Sequence, residues 1–338
     1  MSWFDKGEVA SRSFRSMGGL AIVTLGASCY RHIDPITREI EALFARIERE
    51  LSAYRFDSAI SRLEEQASVA PLRVSDHAFR VLALGKQFGD ISHGTFDITM
   101  APLARLWGFG RAKEPTNVPS EAEIQERLKL VNYRRLELRE GTAFLPLKGM
   151  AVDLGGIAKG YAVDRAFELC RNAGIEDFLL DLSGNIRASG RPRWRATWQI
   201  GVRDPFDRSR ILGKVNVAEG WAMATSGSYE RFVLLGDTGY SHVIDPRDGH
   251  PVKGTASATI LAPDAATADG LSTPFFIAGM EGAGELLGST PRAELMIVPD
   301  TYPTQIWLTP GFAKDFVPAP ELANAVRLLP PPSGNHTA

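Results

Sequence analysis

Three short segments of this 338-residue chain combine residue types and spacings that suit phosphate chemistry. In Val152-Asp153-Leu154-Gly155-Gly156-Ile157-Ala158-Lys159-Gly160-Tyr161 a strand end passes through a glycine turn into a helix with apolar Ala158, Ala162, Ala166, Leu169 and Cys170. A helix that begins directly after glycines presents unpaired backbone N–H groups, and these attract an anion together with the helix dipole. Lys159, in the first turn, adds a mobile positive charge. The pyrophosphate of a dinucleotide fits such a place; a plain tight turn is the competing reading. The segment matches neither GxxxxGK[ST] nor GxGxxG, so a P-loop NTPase and a Rossmann dehydrogenase find no support.

In Ala268-Asp269-Gly270-Leu271-Ser272-Thr273, Asp269 and Thr273 are one helical turn apart and share a face. A carboxylate with a hydroxyl suits a hard cation such as magnesium, which keeps substrate phosphates in its shell and needs few protein ligands. A surface Asp beside a helix-bonded Thr is the bland alternative. The third segment is Tyr240-Ser241-His242-Val243-Ile244-Asp245-Pro246-Arg247-Asp248-Gly249, where strand alternation places His242 and Ile244 on one face before a turn at Asp248-Gly249. A histidine side chain can change charge near neutral pH, which makes His242 the best general-base candidate, with Asp245 as a carboxylate able to hold it; a structural histidine is the alternative. Two aromatic loops, Ser52-Ala53-Tyr54-Arg55 and Gly94-Thr95-Phe96-Asp97, could stack a flat heterocycle or plug a core edge.

These segments need a scaffold. Asp34-Pro35 opens a helix in which Ile36, Ile40, Leu43, Phe44, Ile47 and Leu51 recur at helical spacing. Further helices are expected over 58–67, 75–88, 121–130, 157–170 and 265–278, and a glycine- and aromatic-rich loop over 94–110. The polar residues 111–120, with Pro115 and Pro119, read as an exposed excursion. Short β-branched and aromatic runs predict strands at 20–25, 178–182, 197–202, 214–217 and 232–235. Strands in runs, without regular strand–helix alternation, favour an α+β architecture of mixed or antiparallel sheets with packed helices. A single catalytic domain is expected over 1–328, built of two joined halves, with a Pro-rich disordered tail over 329–338.

Composition narrows the partners. A net charge of −2 offers no basic surface for nucleic acid. Cys29 and Cys170 form no CxxC, so neither a disulfide framework nor a zinc site is suggested. The apolar stretch Gly18–Ala27 before Cys29 imitates a lipoprotein signal, but it is too short to span a bilayer and has Gly26 where such signals need a large aliphatic residue. A cytoplasmic location without stable membrane insertion is therefore expected.

In order along the chain, Met17-Gly18, Tyr54-Arg55 with Ser58, Gly94-Thr95-Phe96-Asp97-Ile98, Asp153 to Gly160, Ser241-His242-Val243-Ile244-Asp245-Pro246 and Ala268 to Thr273 resemble the FAD:protein FMN transferase (ApbE-type) family, over roughly residues 15 to 310. The resemblance implies FAD as substrate, held by Met17, Tyr54, Thr95, Phe96, Asp97, Asp153 and Lys159. It also implies Mg2+ bound by Asp269, Thr273 and the carbonyl of Gly156, and His242 as catalytic base. The implied reaction moves FMN from FAD to a Ser or Thr of an acceptor protein and releases AMP. A magnesium-dependent FAD pyrophosphatase would need the same residues, and loss of base or metal would leave a flavin carrier. Two departures matter: Gly19 stands where relatives commonly have Thr, and Pro274 follows Thr273, predicting a kink there.

Overall fold

The computed structural model describes residues 9–330 except 111–116, 193–194, 229–231, 236–237 and 291. Nine strands, β1 (Val9–Ser16), β2 (Gly19–Gly26), β3 (Phe178–Leu182), β4 (Asn185–Ser189), β5 (Ala222–Gly227), β6 (Thr255–Ala262), β7 (Glu294–Pro299), β8 (Ile306–Leu308) and β9 (Val326–Leu328), form one sheet in chain order. Every neighbouring pair is antiparallel except the last. Side-chain alternation assigns the two faces. Phe178, Leu180 and Leu182 with Ala258, Ile260 and Ala262 enter the larger core, whereas Leu179, Met223, Leu261 and Met296 enter a second core. That second core is closed by a three-stranded sheet of Trp198–Arg203, Ile211–Val217 and Phe316–Pro318.

Helices α1 (Ile33–Leu51), α2 (Ala59–Glu65), α3 (Asp76–Ile91), α6 (Ala158–Asn172) and α7 (Ala265–Gly288) cover the first face; α4 (Ala101–Leu106) and α5 (Glu121–Leu128) build a third, small core with Leu235 and Ile244, and α8 (Pro310–Asp315) joins the second core. The apolar stripe of α1 is buried as its spacing predicts. Ser58, Ser75 and Ser120 cap α2, α3 and α5 through their side chains, which fixes where those helices begin.

The segment 94–110, expected as a loop, contains α4, because Pro102 suits a first helical turn and Ala101, Leu103 and Ala104 bury. Helix α7 runs ten residues past the expected 278, and its break lies at Gly279 (φ 59°, ψ −162°) rather than at Pro274. Proline's fixed φ lies in the helical range, so Pro274 forgoes one hydrogen bond while keeping helical dihedrals, whereas the positive φ at the break favours glycine. The strand expected to carry His242 stops at Ser241; Ile244 is buried in an isolated bridge to Pro251, and His242 is half-exposed. Leu329, expected to open the disordered tail, is instead buried and donates its N–H to Leu308 at 2.7 Å. Residues 331–338, like 111–116 of the expected excursion, lie outside the described residues.

The start of α7 is fastened by α6. Asp164 accepts from the amides of Ala265 (2.8 Å) and Ala266 (2.9 Å) and from the Arg187 guanidinium (2.7 Å). Burial pushes the Asp164 carboxyl up to about 6 against the pull of Arg187 and the two amides. Asp164→Ala strands a largely buried guanidinium and two helix-start N–H groups. It is expected to cost about 3–5 kcal/mol in denaturant unfolding at neutral pH; a loss within error of zero would refute this fastening role.

Candidate active site

The antiparallel order of the sheet brings the motif segments to one end. The Met17-Gly18 turn joins β1 to β2, and the Ser183-Gly184 turn joins β3 to β4. The end of β5 (Ser226, Gly227) pairs with the start of β6, so both lie at that same end. Because α1 follows β2 and α6 precedes β3, the C-terminus of α1 and the N-terminus of α6 point there as well. The amide of Met17 donates to Glu48 in the last turn of α1 at 3.0 Å, which closes this corner. Tyr54, just beyond α1, is 53% exposed, so its loop is surface and not a core plug.

The second aromatic loop is buried. Phe96 packs edge-on to Phe88, with ring centroids 6.2 Å apart, and its amide donates to Ser92 at 2.9 Å. Thr95 donates its hydroxyl to the Ser92 carbonyl at 2.7 Å. Both oxygens of Asp97 are engaged, Oδ1 by the amide (2.7 Å) and hydroxyl (2.6 Å) of Thr99 and Oδ2 by the amide of Tyr133 (2.9 Å). Burial raises the Asp97 carboxyl, and these bonds oppose the rise. Thr95 and Asp97 thus shape the loop from inside. Its last residues run beside the next motif, with the Asp153 amide donating to Ile98 at 2.8 Å.

Asp153 then turns the chain into α6 by accepting the Gly155 amide at 2.7 Å. Arg105, held by both oxygens of Glu64, is also stabilised by the charge of Asp153. It borders a cavity of about 760 Å³ lined by Phe56, Ser61, Glu64, Arg105 and Lys148.

Helices α6 and α7 meet at Gly160, where a Cβ would stand 2.2 Å from the Ala265 carbonyl oxygen and 2.6 Å from the Asp269 Cβ. The contact lets the Gly160 amide donate to Asp269 Oδ2 at 2.8 Å. Asp269 is buried, at 5% exposure, and no described residue donates to its Oδ1. Desolvation raises its carboxyl, while Lys159 and the Gly160 amide draw it down. One turn on, Thr273 Oγ1 lies 3.5 Å from where a Cβ of Gly156 would be, and the Phe96 ring edge lies 3.1 Å from the same point. Asp269, Thr273, Gly156, Phe96 and Lys159 are therefore one cluster at the start of α6. Among the described residues no group of three or more His, Cys, Asp or Glu is placed to hold a metal. The donor set is a single buried carboxylate with one uncommitted oxygen, a hydroxyl and a glycine backbone, which fits a hard cation that shares its shell with phosphate oxygens.

His242 stands on the loop that leads back to β6, with its ring 6.3 Å from Phe109 and tilted 69° to it. Asp245, considered as its partner, is gripped by Arg247 instead, with Nε 2.9 Å from Oδ1 and Nη2 2.6 Å from Oδ2. Gly19 has no room for a side chain, since Ser183 Oγ occupies a point 1.8 Å from where its Cβ would be and accepts the Leu20 amide at 3.0 Å. Ser226 escaped sequence reasoning, yet it bonds Ser272 (2.8 Å) and Thr273 (3.2 Å) from β5. The run Thr225-Ser226-Gly227-Ser228 of small polar residues at a strand end is the signal that could have revealed it.

A family model described as the ApbE family matches residues 17–297. The chain belongs to the ApbE family. Among relatives of this ApbE member, the FAD:protein FMN transferase of Vibrio cholerae is 31% identical over 261 residues, 77% of this chain and 78% of the relative. That of Salmonella typhimurium is 32% identical over 267 residues, 78% of this chain and 76% of the relative. The solved flavin transferase ApbE from Vibrio cholerae superposes with a TM-score of 0.80 at 27% identity, covering 91% of this chain and 99% of that one. The ApbE protein from Thermotoga maritima superposes at 0.82, also at 27% identity with the same coverage. The α+β architecture is thus the ApbE fold. No helix among the described residues is long and apolar enough to cross a membrane.

Proposed function

We propose that the chain transfers FMN from FAD to a Ser or Thr hydroxyl of an acceptor protein, with Mg2+ required and AMP released, and that residues 1–328 act as one catalytic unit. The observation that carries this reading is the buried Asp269 with one uncommitted oxygen, set beside Thr273 and Gly156 at the N-terminus of α6. The relatives named FAD:protein FMN transferase support the same reaction.

In this reading Asp269, Thr273 and the Gly156 carbonyl hold the magnesium ion, which when bound supplies positive charge against the pyrophosphate. Lys159 binds phosphate oxygens through its ammonium and its backbone amide, since the neighbouring amides of Ala158 and Gly160 already donate to Leu154 and Asp269 and so, against the sequence expectation, are not free for an anion. Met17, Tyr54, Phe96 and Asp153 contact FAD, while Thr95 and Asp97 act through the shape of their loop. His242 takes the proton of the acceptor hydroxyl. The freed oxygen forms a bond to the FMN-side phosphorus, the bond from that phosphorus to the bridging oxygen breaks, and AMP departs with the bridging oxygen. Positioning and charge stabilisation suffice for such a step.

The test follows AMP release from FAD and Mg2+ with and without an acceptor domain carrying a target Thr, together with the acceptor's intact mass. AMP that appears only with acceptor, with a mass gain of one FMN, supports the transferase. Equal AMP without acceptor assigns a pyrophosphatase, and no AMP under either condition assigns a carrier. His242→Ala is expected to slow transfer by about 100- to 10,000-fold, the usual worth of a general base. FAD affinity should stay near wild type; unchanged transfer in this variant would remove His242 from the reaction.

A further inference from the structure

The hydroxyls that join β5 to α7 form a chain whose proton count closes in one way. Ser272 Oγ lies 2.9 Å from the Asp269 carbonyl oxygen, which only accepts, so Ser272 donates there. With its single proton committed, Ser272 must accept in the 2.8 Å contact with Ser226, which makes Ser226 the donor. Ser226 then has no proton left for Thr273, so in the 3.2 Å contact Thr273 Oγ1 donates to Ser226 Oγ. The Thr273 proton therefore points at the sheet, and its lone pairs are left for the other side, where the vacant Cβ position of Gly156 lies 3.5 Å away.

A hydroxyl that ligates a cation must offer a lone pair, and its proton then needs an acceptor elsewhere. We propose that Ser226 is a positioning residue for the cation site: it accepts the Thr273 proton and so turns the Thr273 oxygen toward the ion beside Gly156 and Asp269. This rests on the reading of Asp269 and Thr273 as cation ligands. Among the described residues the side-chain hydrogen bonds of Ser226 go to α7, whereas the adjacent Thr225 bonds Thr259 across the strands at 2.9 Å, from the opposite face. Thr225→Val thus removes a comparable hydroxyl contact without touching the chain of protons.

The experiment measures Mn2+ binding by loss of the free-ion EPR signal, with FAD present and acceptor absent, in wild type, Ser226→Ala, Thr225→Val and Asp269→Ala, with melting temperatures for all four. Ser226→Ala should bind Mn2+ about 10- to 100-fold more weakly, as removal of an outer-shell partner typically does. Thr225→Val should bind as wild type does. In turnover with acceptor, the half-saturating Mg2+ concentration should rise by the same factor in Ser226→Ala, and saturating Mg2+ should recover most of kcat. Wild-type Mn2+ affinity in Ser226→Ala, or equal weakening in Thr225→Val, overturns the proposal while leaving the site intact. No binding by the wild type, or unchanged binding in Asp269→Ala, overturns the cation site itself.

Discussion

Asp269→Ala is expected to reduce metal-dependent AMP release by about 1,000-fold or more, the scale on which removal of a charge-stabilising group acts. Its carboxylate is the one acidic side chain of the cluster, and only Oδ2 is occupied, by the Gly160 amide. Alanine also leaves that amide without a partner, at about 1–3 kcal/mol. Asp269→Asn separates the two effects, because an amide oxygen still accepts from Gly160. The asparagine variant should lose turnover equally yet be at least as stable as wild type without metal, since burial already penalises the charged carboxylate. Measured kcat and unfolding free energy of both variants decide the matter. Substantial turnover in either would mean that the cation, if one is used, is held elsewhere.

The second large effect is expected from Gly160→Ala. The new methyl would meet a backbone carbonyl at 2.2 Å and the Asp269 Cβ at 2.6 Å, and neither can rotate away. Helices α6 and α7 must separate locally, at about 1–3 kcal/mol for the overpacking alone. Separation also stretches the Gly160–Asp269 bond, so activity should fall further than stability. A variant with wild-type melting temperature and wild-type rate would show that the two helices can part without consequence.

Much of this was legible in the sequence, for physical reasons that differ by element. Helix α1 announced itself because one face is buried and the other wet, so its periodicity survives in residue type. The turn into α6 was legible because Gly155, Gly156 and Lys159 have few other uses in that order. Strand β1 was not, since as an edge strand it exposes Ser11, Arg12 and Ser13 and shows no apolar alternation. Strand β6 is buried on both faces, so its small and apolar residues carry no period of two. Ser226 was missed because the small polar run Thr225-Ser226-Gly227-Ser228 marks a strand end but does not name Thr273, its partner across the core. Likewise the break in α7 went to Gly279 and not to Pro274, since what matters is the dihedral pair that the packing demands.

A sheet laid down in chain order, with the motifs gathered at one end, leaves the other end as a handle. There the exposed Ala173-Gly174 turn joins α6 to β3, a full helix length away from Gly156 and Lys159. Exposed turns of this kind are where inserted segments are best tolerated. A fluorophore, an affinity peptide or a surface tether placed at that turn would hold the protein by its back, with the end that carries the motifs left free.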